Sequence, residues 1–147
     1  MFEIAIANEQ SSLEFDPAHL QAAVEKILAD AGLNRATISI AVVDDPTMHN
    51  LNRQFLSHDY PTDVLSFVLE QDEEHLDGEI IASADYAIRS AGEYHWPAEH
   101  ELLLYVIHGT LHLIGHDDLD DAPREEMRAR ERHYLLSCGV TPPGDAA

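Results

Sequence analysis

Residues 98–113 read AEHELLLYVIHGTLHL, and the way this run folds decides the rest of the chain. Pro97 suits the start of a helix, where its missing N–H costs nothing, and Gly115 suits the end of one. Between them LLLYVI is apolar nearly all round, which predicts a helix packed deeply among other elements.

The flanking sequence supplies those elements. Residues 2–8, FEIAIAN, suit an opening strand. In DPAHLQAAVEKILADAG, Asp16 can cap a helix, Pro17 fits its first turn and Gly32 can end it. Leu20, Val24, Ile27 and Ala31 recur at helical spacing and are expected to face the core. Residues 37–43, TISIAVV, alternate so that Ile38, Ile40 and Val42 point one way, as in a strand. Asp45-Pro46 opens a second helix, with Met48, Leu51 and Phe55 at helical spacing. After the loop SHDYPTD, VLSFVL reads as a strand, and acidic QDEEHLD is expected to connect at the surface to a fourth, GEIIAS.

A helix over roughly 84–93 precedes the central one. DAPREEMRARERHYLLSCG forms the last helix, with Met127, Tyr134, Leu135 and Cys138 as inward contacts and Gly139 as terminator. The expected fold class is α+β: a single compact domain over 1–147, with a small mixed sheet of about four strands covered by about five helices and a loose tail at 140–147.

Bulk properties bound the function. A chain of 147 residues can bury a core without staples, and its one cysteine, Cys138, excludes an intrachain disulfide and a Cys-rich metal knot. No signal-peptide pattern or membrane-length apolar run is visible, so a cytoplasmic protein with no membrane partner is expected. With 28 acidic against 8 basic residues, the net charge of -20 repels phosphate backbones over most of the surface. A bound dication and a few arginines can invert that field locally. Four arginines lie between Arg124 and Arg132, but interleaved Glu125, Glu126 and Glu131 suggest an ordinary helix surface with spaced charge pairs.

The chemistry is concentrated in HGTLHLIGHDD, residues 108–118. Four-residue spacing puts His108 and His112 on one helix face, one turn apart, where two neutral imidazoles can bind one divalent ion, zinc first among candidates. Gly115 lets the backbone turn back, so Asp118 can return toward the pair as a third ligand. An unbroken helix would instead align His116 with the pair; the glycine favours Asp118, leaving His116 as pocket wall or proton shuttle. Asp117 can hold a ligand histidine's other ring nitrogen or cap the turn. Gly109 stands where the HExxH peptidase motif carries its glutamate base. Thr62 and Asp63 sit where a loop enters a strand, a place that serves equally for orienting a site and for satisfying turn donors. His49, His58, His75, His95 and His100 have no comparable spacing.

Taken with LNRQFLSHDYPTDVLSF at 51–67, GEIIAS at 78–83, and Met127 and Glu131 in the last helix, this segment resembles the YbeY family of bacterial rRNA maturation factors over residues 35–138. The resemblance implies a metal-dependent, single-strand-specific endoribonuclease acting in late 16S rRNA 3′-end maturation and ribosome quality control. Its implied partners are an rRNA precursor and the small ribosomal subunit or its assembly factors. The implied ligands for one Zn²⁺ are His108, His112 and Asp118, with His116 and Asp63 as catalytic candidates. Two departures stand out: the family's GYDH ending is GHDD here, and Leu56 occupies a usual arginine position, with Arg53 one turn earlier. A zinc metallopeptidase and a non-catalytic assembly factor with a structural metal are the competing readings.

Overall fold

The computed structural model describes residues 1–56, 63–116 and 121–143. Among them the elements run β1 (Phe2–Asn8), α1 (Pro17–Asp30), β2 (Arg35–Val43), α2 (Asp45–Leu56), β3 (Val64–Gln71), β4 (His75–Ser83), α3 (Ala84–Tyr94), α4 (Ala98–Leu113) and α5 (Asp121–Ser137). This is an α+β domain whose mixed sheet has the order β1-β2-β4-β3. β1 and β4 both run parallel to the central β2, and β3 returns antiparallel to β4. The parallel β1–β2 pair needs a crossover, which α1 provides, whereas the antiparallel β3–β4 pair needs only a tight turn.

That turn corrects one expectation. QDEEHLD is not a long surface connector, because His75–Asp77 already pair with Arg35–Thr37 in the sheet. Asp72 closes the reversal: its Oδ1 accepts from the Glu74 and His75 amides at 2.9 and 2.8 Å. An acidic stretch becomes strand because the aspartate side chain satisfies the turn's backbone donors.

Helix α4 is the axis of the fold. It packs on β3, β4, α1, α3 and α5, and Leu102, Leu103, Val106, Ile107 and Leu111 are buried, with Leu104 half-buried. The approach to the sheet is close at Gly109, where an added Cβ would stand 3.0 Å from Ile80 Cγ2 and 3.4 Å from Val64 Cγ2. Elsewhere, Leu20, Val24 and Ile27 face the core as their spacing requires, as do Ile38, Ile40 and Val42. Ala31 does not: it caps α1 and is exposed. In α5, Met127, Tyr134 and Leu135 are buried, while Cys138 is exposed. Val140 is also buried and its amide bonds Leu135 O at 2.9 Å, so the chain is still anchored there. Among the described residues, no helix is long and apolar enough to cross a membrane.

Candidate metal centre

His108 and His112 project from the last two turns of α4. Their Nε2 atoms converge to 3.0 Å, and their rings meet edge to face with centroids 4.5 Å apart. Two nitrogens bound to one tetrahedral zinc at ordinary Zn–N distances stand about 3.3 Å apart, so the pair needs only a slight spread to share an ion.

The orientation of His108 is fixed from the opposite side. Its Nδ1 is 2.6 Å from Glu131 Oε2, across from α5. Nδ1 therefore carries the proton and donates, which leaves the Nε2 lone pair directed at His112. Glu131 is buried, and Arg128, one turn earlier on α5, donates to its Oε1 and Oε2 at 2.7 and 3.0 Å. The acidic partner of His108 is thus Glu131, a residue distant in sequence. Asp117, which the sequence offers either for that role or for capping the turn, lies outside the described residues.

Helix α4 stops where the sequence requires. Gly115 has φ 104°, a conformation that side chains resist, and its amide bonds His112 O at 3.1 Å. The next amide, His116, bonds Leu111 O at 3.0 Å. These two bonds form a Schellman turn, which reverses the chain. His116 is therefore not stacked one turn above His112. It is half-buried just past the turn. Asp118 and Thr62 lie outside the described residues. Among the described residues, no group of three or more His, Cys, Asp or Glu is placed to hold a metal ion. The donors present, two convergent imidazoles with a carboxylate behind one of them, suit zinc as part of a ligand set.

His108 opens onto a cleft of about 840 Å³ shared with Asp63, Glu101, Arg128, Glu131 and Arg132. Asp63 sits at the start of β3, held by Ser83 N–H on its carbonyl at 2.9 Å, while its Oδ1 accepts from Val64 N–H at 2.8 Å. It thus serves the turn and faces the cleft at once. The arginine cluster is largely the helix surface expected: Arg128 pairs with Glu131 on its own helix, and Arg128 and Arg132 are both exposed while bordering the cleft. Arg53 is exposed on α2.

Glu101 is the residue that sequence patterning did not single out. It is 5% exposed at the head of the apolar run of α4, and Trp96 Nε1–H donates to its Oε1 at 2.9 Å. Its seven-residue spacing from His108 was the available signal, since 101, 105, 108 and 112 share one helical face.

The profile of the family described as Endoribonuclease YbeY matches residues 5–139. The chain belongs to the YbeY family. Relatives named Endoribonuclease YbeY include one from Rhodopirellula baltica, 42% identical over 89% of this chain and 69% of its own length. Another, from Desulfitobacterium hafniense, is 36% identical over 82% of this chain and 83% of its own. A Thermotoga maritima protein solved in solution is 25% identical with a TM-score of 0.61, covering 99% of this chain and 100% of that one. The YbeY family match includes the α4 histidines, the turn at Gly115 and Glu131 on α5.

Proposed function

We propose that this chain is a metal-dependent, single-strand-specific endoribonuclease that acts on rRNA precursor in late 16S 3′-end maturation and ribosome quality control. The supporting observation is the convergence of His108 and His112 Nε2 at 3.0 Å, with His108 held from behind by Glu131, in a member of the YbeY family. His108 and His112, joined by Asp118, would hold one Zn²⁺. Bound there, the ion supplies Lewis-acid polarisation of a phosphoryl oxygen and acidification of a water.

The remaining work belongs to the chain's own side chains. Glu131 keeps the proton on His108 Nδ1, so that Nε2 stays a donor to the ion. Arg128 and Arg132 offset the repulsion between a strongly acidic protein and a phosphate entering the cleft. The Asp63 carboxylate takes a proton from the attacking water, and His116 returns one to the leaving oxygen. The natural setting for this activity is the cytoplasm, on the small ribosomal subunit or with its assembly factors.

A peptidase reading is disfavoured at Gly109. The position that carries a glutamate base in HExxH proteins faces Ile80 and Val64 here, where even a Cβ would crowd apolar side chains. The net charge of -20 favours the remaining alternative, an assembly factor whose metal is structural. His112→Ala separates the readings when zinc content and cleavage of a structured rRNA precursor are measured on folded protein. Loss of both is expected. A variant that keeps wild-type zinc and wild-type cleavage would sink the mechanism, and a zinc-loaded wild type that supports subunit assembly but never cuts precursor would establish the structural role.

A further inference from the structure

The cleft extends well past His108. Glu101 lies two turns before His108 on the same face of α4, about 10 Å along the axis. The cleft walls around it are aromatic: Tyr86, Tyr94, Trp96 and Tyr105 all line the space. Its volume of about 840 Å³ suits a nucleotide-sized ligand.

Three observations point to an occupant. Tyr94 is 60% exposed at the rim, an unusual place for a large aromatic side chain that packs no core. Trp96 presents its indole beside Glu101, held by the 2.9 Å bond to Oε1. The Tyr105 hydroxyl, flanked by Ser90 and Glu101, is buried and completes no well-formed hydrogen bond among the described residues. Flat walls, two acceptor carboxyls at Asp63 and Glu101, and a buried hydroxyl between Ser90 and Glu101 are what a nucleobase bearing an exocyclic amine requires. Its ring stacks on the aromatic groups and its amine donates to a carboxyl oxygen. Uracil has no exocyclic amine and offers a single ring N3–H flanked by two carbonyl oxygens, which the carboxyls repel.

We propose that the part of the cleft around Glu101, Tyr94 and Trp96 is a base subsite that takes guanine, adenine or cytosine in preference to uracil. This rests on the RNA reading above and specifies which residue of the strand is gripped beside the reacting phosphate. Arg128 and Arg132 lie on the neighbouring wall, where the phosphate attached to that base would pass.

The chain has a single tryptophan, Trp96, so its fluorescence reports on this subsite alone. Titrating the metal-free protein with G-, A-, C- and U-containing pentaribonucleotides, and with an abasic pentamer, is expected to give saturable quenching with the three amine-bearing bases. Uridine is expected to bind at least about fivefold more weakly, and the abasic strand to quench least. Tyr94→Ala, at an exposed position that folding does not need, should weaken every base-bearing strand about fivefold or more and leave the abasic one unchanged. Glu101→Leu should erase the discrimination against uridine. Equal responses to all five strands, or none, would overturn the subsite even if RNA cleavage by the zinc-loaded protein is intact. Base-dependent quenching without any cleavage would leave the subsite standing and remove the proposed nuclease.

Discussion

At the scale of single residues, the candidate centre depends on a carboxylate that neither histidine could have revealed. Glu131 fixes which nitrogen of His108 carries the proton, and Arg128 holds that carboxylate in place. Replacing such a partner usually weakens metal binding by about 10–100-fold. Glu131→Gln should therefore lower zinc affinity by that factor in a chelator competition, with the helical circular dichroism retained; unchanged affinity would show that His108 needs no support from α5. Glu101 makes a different prediction. Burial is the main cause raising its carboxyl above the ordinary 4.5, and the Asp63 charge adds to it against the Trp96 hydrogen bond. The fold therefore favours the protonated acid, a contribution fully present below the ordinary value and lost as pH rises through the raised one. Glu101→Gln stays neutral throughout. It should match the wild type in thermal stability at pH 4 and exceed it at pH 7, and a constant difference across that range would refute the assignment.

At the scale of elements, α4 is built by what it excludes. Its apolar run binds it to the sheet and three helices, and only the 101–105–108–112 stripe is left for chemistry. Gly109 lets the helix and the sheet touch, and that contact is why a peptidase-type glutamate has no place there. Gly109→Glu would force a carboxylate against Ile80 and Val64, so a loss of more than about 3 kcal/mol in urea unfolding is expected. A stable variant with gained peptide hydrolysis would reverse this reading. The two ends of α4 were legible from Pro97 and Gly115, because a proline and a positive-φ glycine act locally. The β3–β4 reversal was less legible, since the acidic composition of 71–77 hid a turn made by Asp72 alone.

At the scale of the whole molecule, a net charge of -20 surrounds a cleft with two arginines on one wall. Counterion release from so few phosphate contacts is small. Two cationic contacts to a single strand imply a slope of about -1.4 in log affinity against log salt concentration. Binding of a single-stranded rRNA fragment measured from low to physiological salt should fall no more steeply than that. A much steeper slope would mean that a wider basic surface, not this cleft, holds the RNA.

The sequence by itself determined the helix ends, the strand alternation, the α+β class and the one-turn spacing of His108 and His112, because each follows from interactions within a few residues. Tertiary structure alone decided that Glu131, twenty-three positions away, stands behind His108, that Arg128 and Arg132 border the cleft, and that Glu101 shares it. The reason is physical: the direction of a side chain on α5 is set by how that helix packs on α4, and no local pattern within either helix encodes their crossing.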